Sequence, residues 1–137
     1  MIEVSPGLRR VNMPISRRDL QILVDKTLEI LGLPGKTLSL RVVADQEIEA
    51  LNLAYLGLPG PTNVLSFPLD DPGQPDYLGD MAISVDTVAR EAFLYGQPPR
   101  QHFIRMLCHG ILHLAGFDHG PRMFDLTDQA VAAVAQS

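Results

Sequence analysis

The sequence predicts an α+β fold in which a small mixed β-sheet of about four strands is packed with helices. Two patterns alternate along the chain, namely apolar residues at helical spacing and short stretches in which polar and apolar residues alternate. With 137 residues, of which 46% are hydrophobic, the chain is long enough to bury one core but short for two. We therefore predict a single domain over residues 1–137.

The first half of the chain contains the signals for two helices and two or three strands. Ser16 is expected to cap a helix over 17–31, and Asp45 is expected to cap a second helix that reaches about Tyr55. Strands are predicted at 37–43 and 63–67, and a weakly patterned strand within 1–13 is expected to complete the sheet.

The second half is predicted to add one strand and three helices. A strand over 79–85 leads into a helix capped by Asp86, and Pro98 and Pro99 open a longer helix over about 100–115. A turn over 118–123 is then expected to precede a final helix over 124–135.

The longer helix carries the spacing HxxxHxxGxxH, which is typical of a zincin-like metal helix. His109 and His113 lie four residues apart and thus share a helix face, and Gly116 allows the reversal that would return His119 as a third ligand. Three protein ligands leave one position open, as in catalytic zinc sites. We predict one Zn²⁺ ion held by these histidines, although imidazole also accepts other transition metals.

The residues missing from this motif argue against two enzyme classes. Zincin peptidases carry a glutamate base after the first histidine, where this chain has Gly110. Cytidine-type deaminases need an HxE and a PCxxC element, whereas Cys108 is the only cysteine. Asp118 is the nearest carboxylate in sequence, and it is expected either to act as a base or to orient a ligating imidazole.

Composition constrains the compartment and the partners. The formal net charge of −5 argues against broad electrostatic binding to nucleic acid. A single cysteine, no visible signal peptide and no long apolar run predict a cytoplasmic protein that does not contact a membrane. Arg105 precedes His109 by four residues, so it is expected either on the metal-facing side of the helix, where it could bind substrate, or as a solvated helix residue.

Three blocks resemble the YbeY family of bacterial rRNA maturation factors, which are metal-dependent endoribonucleases. Residues 109–119 match HGxLHLxGyDH, residues 51–55 with 61–68 are similar to LNxxYR and PTDVLSFP, and residues 79–84 are similar to GDIxIS. The resemblance implies an α+β fold, zinc held by His109, His113 and His119, and attack of metal-activated water on a phosphodiester. It also implies work on small-subunit rRNA maturation and ribosome quality control, with rRNA, the small subunit and ribosomal or assembly proteins as partners.

Two positions depart from the family pattern. Leu56 stands where the family has an arginine that is thought to contact the RNA phosphate, and Asn63 stands where it has an aspartate. Loss of one positively charged donor is expected to remove about two to four kcal/mol of transition-state stabilisation. The resemblance therefore implies an intact metal site, and the missing arginine opens the alternative of reduced or lost cleavage.

Ser66 and Asn63 are candidates to donate hydrogen bonds to a substrate, or else to satisfy local backbone groups. Three functions stay open on the sequence. The first is a zinc-dependent endoribonuclease, the second is a ribosome-assembly factor whose nuclease activity is reduced or lost, and the third is a metal-dependent hydrolase of a small amide or ester.

Overall fold

The computed structural model describes residues 1–8, 13–118 and 120–135. Four strands and five helices occur within these ranges, and strands and helices are interleaved along the sequence. They are β1 (Ile2–Val4), α1 (Arg17–Ile30), β2 (Thr37–Val43), α2 (Asp45–Leu56), β3 (Val64–Pro68), β4 (Tyr77–Ser84), α3 (Val85–Tyr95), α4 (Pro99–Leu114) and α5 (Pro121–Ala135).

The strands form one mixed sheet in the order β1-β2-β4-β3. The β1-β2 and β2-β4 pairs are parallel, whereas β3 and β4 are antiparallel. The predicted α+β class and the sheet of about four strands are thus confirmed. The N-terminal strand is present at the start of the stretch where the sequence placed it, and residues 9–12 of that stretch lie outside the described residues.

The two faces of the sheet bury different clusters. Leu40, Met81 and Ile83 face the main core, which α1, α4 and α5 complete. The opposite face packs Leu65 and Ala82 against α2. Helix α4 lies at the centre of the main core, where several of its side chains are fully buried: Phe103, Ile104, Leu107, Cys108 and Ile111. The helix that carries the histidine motif is therefore held rigidly against the sheet.

The predicted caps of α2 and α3 are wrong. Asp45 and Asp86 are not the N-cap residues of their own helices, and each carboxylate instead accepts a hydrogen bond at the start of the other helix. Ala44 is the N-cap residue of α2, and the amide of Asp45 donates to the Asp86 carboxylate at 3.0 Å. Ser84 is the N-cap residue of α3, and it also donates from its hydroxyl to Asp45 at 2.7 Å. Each acidic side chain thus stabilises the start of the other helix and joins α2 to α3.

The start of α5 also differs from the prediction. The helix begins at Pro121 rather than at residue 124, since proline is well suited to the first helical position. Helix α4 runs over Pro99–Leu114, within one residue of the predicted bounds. None of the helices in the described ranges is long and apolar enough to cross a membrane.

Asp45 should contribute a pH-dependent part of the stability. Burial opposes ionisation of its carboxyl, but hydrogen bonds from Arg90, Thr87 and Ser84 outweigh that effect and hold its pKa below the ordinary value of 3.8. Asp45→Asn is expected to lower the free energy of unfolding by about 2 kcal/mol near pH 7. Because the folded-state pKa is depressed, this contribution is present above pH 3.8 and is lost as the pH falls through the folded value.

Urea unfolding of parent and variant at several pH values measures the difference. The difference in free energy of unfolding between the parent and Asp45→Asn should become smaller below pH 3.8. Asp70→Asn, in an exposed loop, is the control and should unfold like the parent. A gap that stays constant into the acid range would contradict the assignment.

Candidate metal centre

Two of the three predicted metal ligands lie side by side on α4. The ring centroids of His109 and His113 are 4.9 Å apart and the ring planes meet at 77°. Both side chains are half-buried, because their helix face lies between the apolar face and solvent. The four-residue spacing therefore brings the two imidazoles together as the sequence predicts.

The chain reverses directly after the second histidine. Ala115 ends α4, and Gly116 follows with a φ of 95°, in the region that favours glycine. The amide of Phe117 donates back to the carbonyl of Leu112 at 3.0 Å, which closes the turn. His119 lies outside the described residues, so its role as the third ligand stays a prediction.

The donor chemistry fits a metal as far as the described residues extend. In these ranges no group of three His, Cys, Asp or Glu side chains is arranged to hold a metal ion. Two adjacent imidazoles on a rigid helix are present, and zinc accepts imidazole nitrogen readily. Two of the three predicted ligands are thus adjacent, and the prediction needs His119 to complete the set.

Both histidines line a cleft of about 750 Å³. Its walls come from the end of α2, from β3, from α4 and from the turn after α4. The cleft brings together most of the residues that the sequence singled out: Leu56, Asn63, Ser66, His109, His113 and Asp118. Asp118 is exposed in this wall, and both of its predicted roles, as a base or as a partner of a ligand, stay predictions.

Ser66 and Asn63 make contacts inside the protein. The Ser66 hydroxyl donates to the carbonyl of Gly110 at 3.1 Å and so ties β3 to α4. The Asn63 amide nitrogen donates to the Glu91 carboxylate at 3.1 Å, and its oxygen accepts from the Val64 amide at 2.7 Å. Only the bond from the Val64 amide is the local backbone contact that the sequence left open, because the bonds to Gly110 and Glu91 reach distant segments. Substrate contacts by either residue stay a prediction.

Arg105 points to a different part of the molecule. Its Nη1 atom donates to the Asp128 carboxylate on α5 at 2.6 Å. In the described structure its guanidinium lies against α5 rather than in the cleft wall. Its predicted role in substrate binding therefore draws no support from its position.

The sequence did not lead us to a hydrogen-bond network behind the cleft, which consists of His102, Glu91 and Asn63. His102 is only 3% exposed, and its Nε2 atom lies 2.9 Å from a carboxylate oxygen of Glu91. Glu91 also accepts from Asn63, so α4, α3 and the start of β3 are joined through one carboxylate. A histidine on the apolar face of α4, seven residues before His109, was the available signal, because a buried imidazole needs a partner.

Close packing around Gly110 leaves no room for a glutamate side chain at this position. A β-carbon at this position would lie 2.4 Å from Cε of Met81, 3.1 Å from Cγ2 of Val64 and 3.2 Å from Oγ of Ser66. The position therefore faces the sheet at close approach and not the cleft. This close packing adds a steric argument against a zincin peptidase to the missing carboxylate.

Cys108 is unsuited to nucleophilic catalysis. It is fully buried on α4, and burial raises the pKa of its thiol to about 12. A thiol with such a pKa is protonated near neutral pH, and the thiolate is the nucleophilic form. Cys108 is therefore no candidate for a nucleophile.

Comparison with known proteins identifies the family. The sequence profile described as "Endoribonuclease YbeY" matches residues 9–132. The chain belongs to the YbeY family. The resemblance seen in the three sequence blocks is thereby confirmed over nearly the whole chain.

Individual YbeY relatives agree with this assignment. A protein named Endoribonuclease YbeY from Oleidesulfovibrio alaskensis is 43% identical over 136 aligned positions, which cover 84% of this chain and 80% of the relative. A protein of the same name from Nitratidesulfovibrio vulgaris is 39% identical over 130 positions, covering 81% of this chain and 80% of the relative. The solution structure of a Thermotoga maritima protein superposes with a TM-score of 0.69 at 26% identity, covering 99% of this chain and 90% of that chain.

Proposed function

We propose that this chain is a zinc-dependent endoribonuclease that acts in small-subunit rRNA maturation and ribosome quality control. The observation that carries the proposal is the pair of adjacent imidazoles in the wall of an open cleft, in a chain of the YbeY family. The names of the relatives, Endoribonuclease YbeY, support RNA as the substrate class. Ribosomal RNA, the small subunit, ribosomal or assembly proteins and a cytoplasmic location are parts of the same proposal.

His109 and His113, together with His119, would hold the metal. Zinc bound there would supply Lewis-acid polarisation of a phosphoryl oxygen and a hydroxide nucleophile near neutral pH. Nitrogen ligands in a three-residue set match what catalytic zinc sites use.

The residues around the pair have distinct tasks in this mechanism. The bond from Ser66 to the carbonyl of Gly110 fixes α4 against β3, so that the imidazoles keep their positions relative to the cleft. Met106, Val64 and Phe117 give the cleft apolar walls, and a strand bound against them would lose part of its hydration, which strengthens electrostatic interactions with it. Asp118 orients a ligating imidazole or moves a proton at the mouth of the cleft.

One observation favours a second candidate function, a ribosome-assembly factor with reduced or lost cleavage. Leu56 is 52% exposed and lines the cleft, at the position where the resemblance implies an arginine. A leucine donates no hydrogen bond and carries no charge, so it cannot stabilise charge that develops on a phosphoryl group.

A single set of assays separates the two candidates. Protein expressed without a metal-binding tag is analysed for zinc, incubated with ribosomal and unstructured RNA with and without a chelator, and sedimented with ribosomal subunits. We expect stoichiometric zinc and chelator-sensitive cleavage. Subunit binding without cleavage would support the assembly factor instead, and the absence of zinc, cleavage and subunit binding would overturn both.

Leu56→Arg should increase RNA cleavage by about tenfold, because a guanidinium at this point of the cleft wall can pair with a phosphoryl oxygen. The measurement is the initial rate on a labelled RNA oligonucleotide at fixed zinc. Leu58→Arg is the matched control, since Leu58 is similarly exposed at 53% but lies outside the cleft wall. Equal cleavage rates for Leu56→Arg and Leu58→Arg would contradict the prediction, because an arginine in the cleft wall would then add nothing to catalysis.

A further inference from the structure

Among the described residues that line the cleft, none is a lysine or an arginine. An RNA strand brings one negative charge per phosphate, and Asp118 adds another negative charge to the same wall. Apart from the proposed metal, a cation that pairs with the phosphates of this substrate therefore has to come from outside the residues that form the cleft surface.

Arg122 is a cation that lies next to the cleft without lining it. It is the second residue of α5, which begins just after the turn that leaves α4. The carbon at the centre of its guanidinium lies 5.9 Å from the centroid of the Phe117 ring, and Phe117 lines the cleft. The ring thus holds an exposed cation at the rim of the cleft through a cation–π contact.

Four other lysine or arginine side chains form ion pairs with carboxylates in the described part of the chain. Arg41, Lys36, Arg90 and Arg105 pair with Glu3, Asp76, Asp45 and Asp128 respectively. Within the described part of the chain, Arg122 has no ion pair with an acidic side chain, and Phe117 is its partner. A guanidinium held over a ring by a cation–π contact keeps its N–H donors available for an anion.

We propose that Arg122 binds a phosphate of the RNA at the rim of the cleft, beside the histidine pair. A guanidinium can donate two parallel hydrogen bonds to phosphate oxygens, and the N-terminal end of α5 adds a partial positive charge at the same place. Phe117 is the positioning residue, since its ring fixes where the guanidinium lies. This inference rests on the proposed endoribonuclease function, because it names the substrate contact of the same cleft.

The experiment compares Arg122→Ala with Arg18→Ala in zinc-loaded protein. Arg18 is exposed on α1, away from the cleft, so the control removes the same charge from the molecule. Binding of a fluorescent single-stranded RNA is measured by anisotropy at several salt concentrations, and its cleavage is measured in parallel. Thermal melts establish that both variants are folded.

Arg122→Ala should bind the RNA about tenfold more weakly, and the slope of log affinity against log salt should fall by about 0.7, the value for one phosphate contact on a single strand. Arg122→Lys should retain part of the affinity. Phe117→Leu, which keeps an apolar wall but removes the ring, should weaken binding about threefold by releasing the guanidinium. Leu56→Arg combined with Arg122→Ala should restore binding, because it returns a cation to the same cleft.

Two results would overturn this assignment alone. One is chelator-sensitive cleavage in which Arg122→Ala matches the parent in affinity, rate and salt slope. The other is an equal loss in Arg18→Ala, which would indicate an effect of net charge. A parent protein that neither binds nor cleaves RNA would instead overturn the proposed function, and this inference with it.

Discussion

His113→Ala is expected to abolish zinc binding and to lower RNA cleavage by about a thousandfold. The imidazole of His113 lies beside that of His109 on α4, which is packed into the main core, so the variant leaves one of the two adjacent imidazoles to bind the metal. A bound metal contributes several kcal/mol of transition-state stabilisation, and each 1.36 kcal/mol corresponds to a factor of ten in rate. Zinc content by elemental analysis and the initial rate of cleavage are the two measurements.

His102→Gln is the matched control for zinc content, since it replaces another histidine of α4 whose ring faces Glu91 and not the cleft. This variant should keep the zinc stoichiometry of the parent. If His113→Ala retained full zinc and full cleavage, the metal centre would have to be sought elsewhere in the chain.

The order and kind of the elements could be predicted because they follow from local periodicity. Strand β2 covers the same residues that the alternation in 37–43 indicates, and the hydroxyl oxygen of Ser16 caps α1 by accepting from the amide of Asp19 at 3.1 Å. The adjacency of His109 and His113 is likewise a property of one helix turn. Such features need no information about which elements meet in space.

The caps of α2 and α3 could not be predicted in this way. Asp45 and Asp86 each match the local pattern of a helix start, but in the fold each lies within reach of the other helix. The choice between a local partner and a distant one depends on how β4 brings the two helix starts together. Sequence spacing carries no information on that contact.

The position of Arg105 shows that helical spacing alone does not predict which side chains line the cleft. A step of four residues turns the helix by about 40° beyond a full turn, so Arg105 and His113, two steps apart, differ by about 80°. That rotation is enough to bring Arg105 against Asp128 of α5. Arg122 could not be found from spacing at all, because its relation to Phe117 depends on the turn between α4 and α5.

Gly110→Glu, which would recreate the glutamate of the zincin peptidase motif, is expected to lower the free energy of unfolding by about 3–5 kcal/mol. A β-carbon alone would approach Met81 to 2.4 Å, and the carboxylate beyond it would be buried against β3 and β4 with no cation to pair with among the described neighbours. The added carboxylate faces the sheet, so no peptidase activity should accompany the loss of stability. Urea unfolding followed by circular dichroism measures the change.

Gly110→Ala separates the steric effect from the charge. Alanine gains about 1 kcal/mol of helix propensity over glycine, but overpacking costs about 1–3 kcal/mol, so the net loss should be about 1 kcal/mol. The close contact at Cε of Met81 can relax, since that atom ends a flexible side chain, whereas Val64 and Ser66 are fixed on β3. If Gly110→Glu unfolded at the same urea concentration as the parent, α4 would have to lie farther from the sheet, and the bond from Ser66 that holds the histidine helix in place would not form.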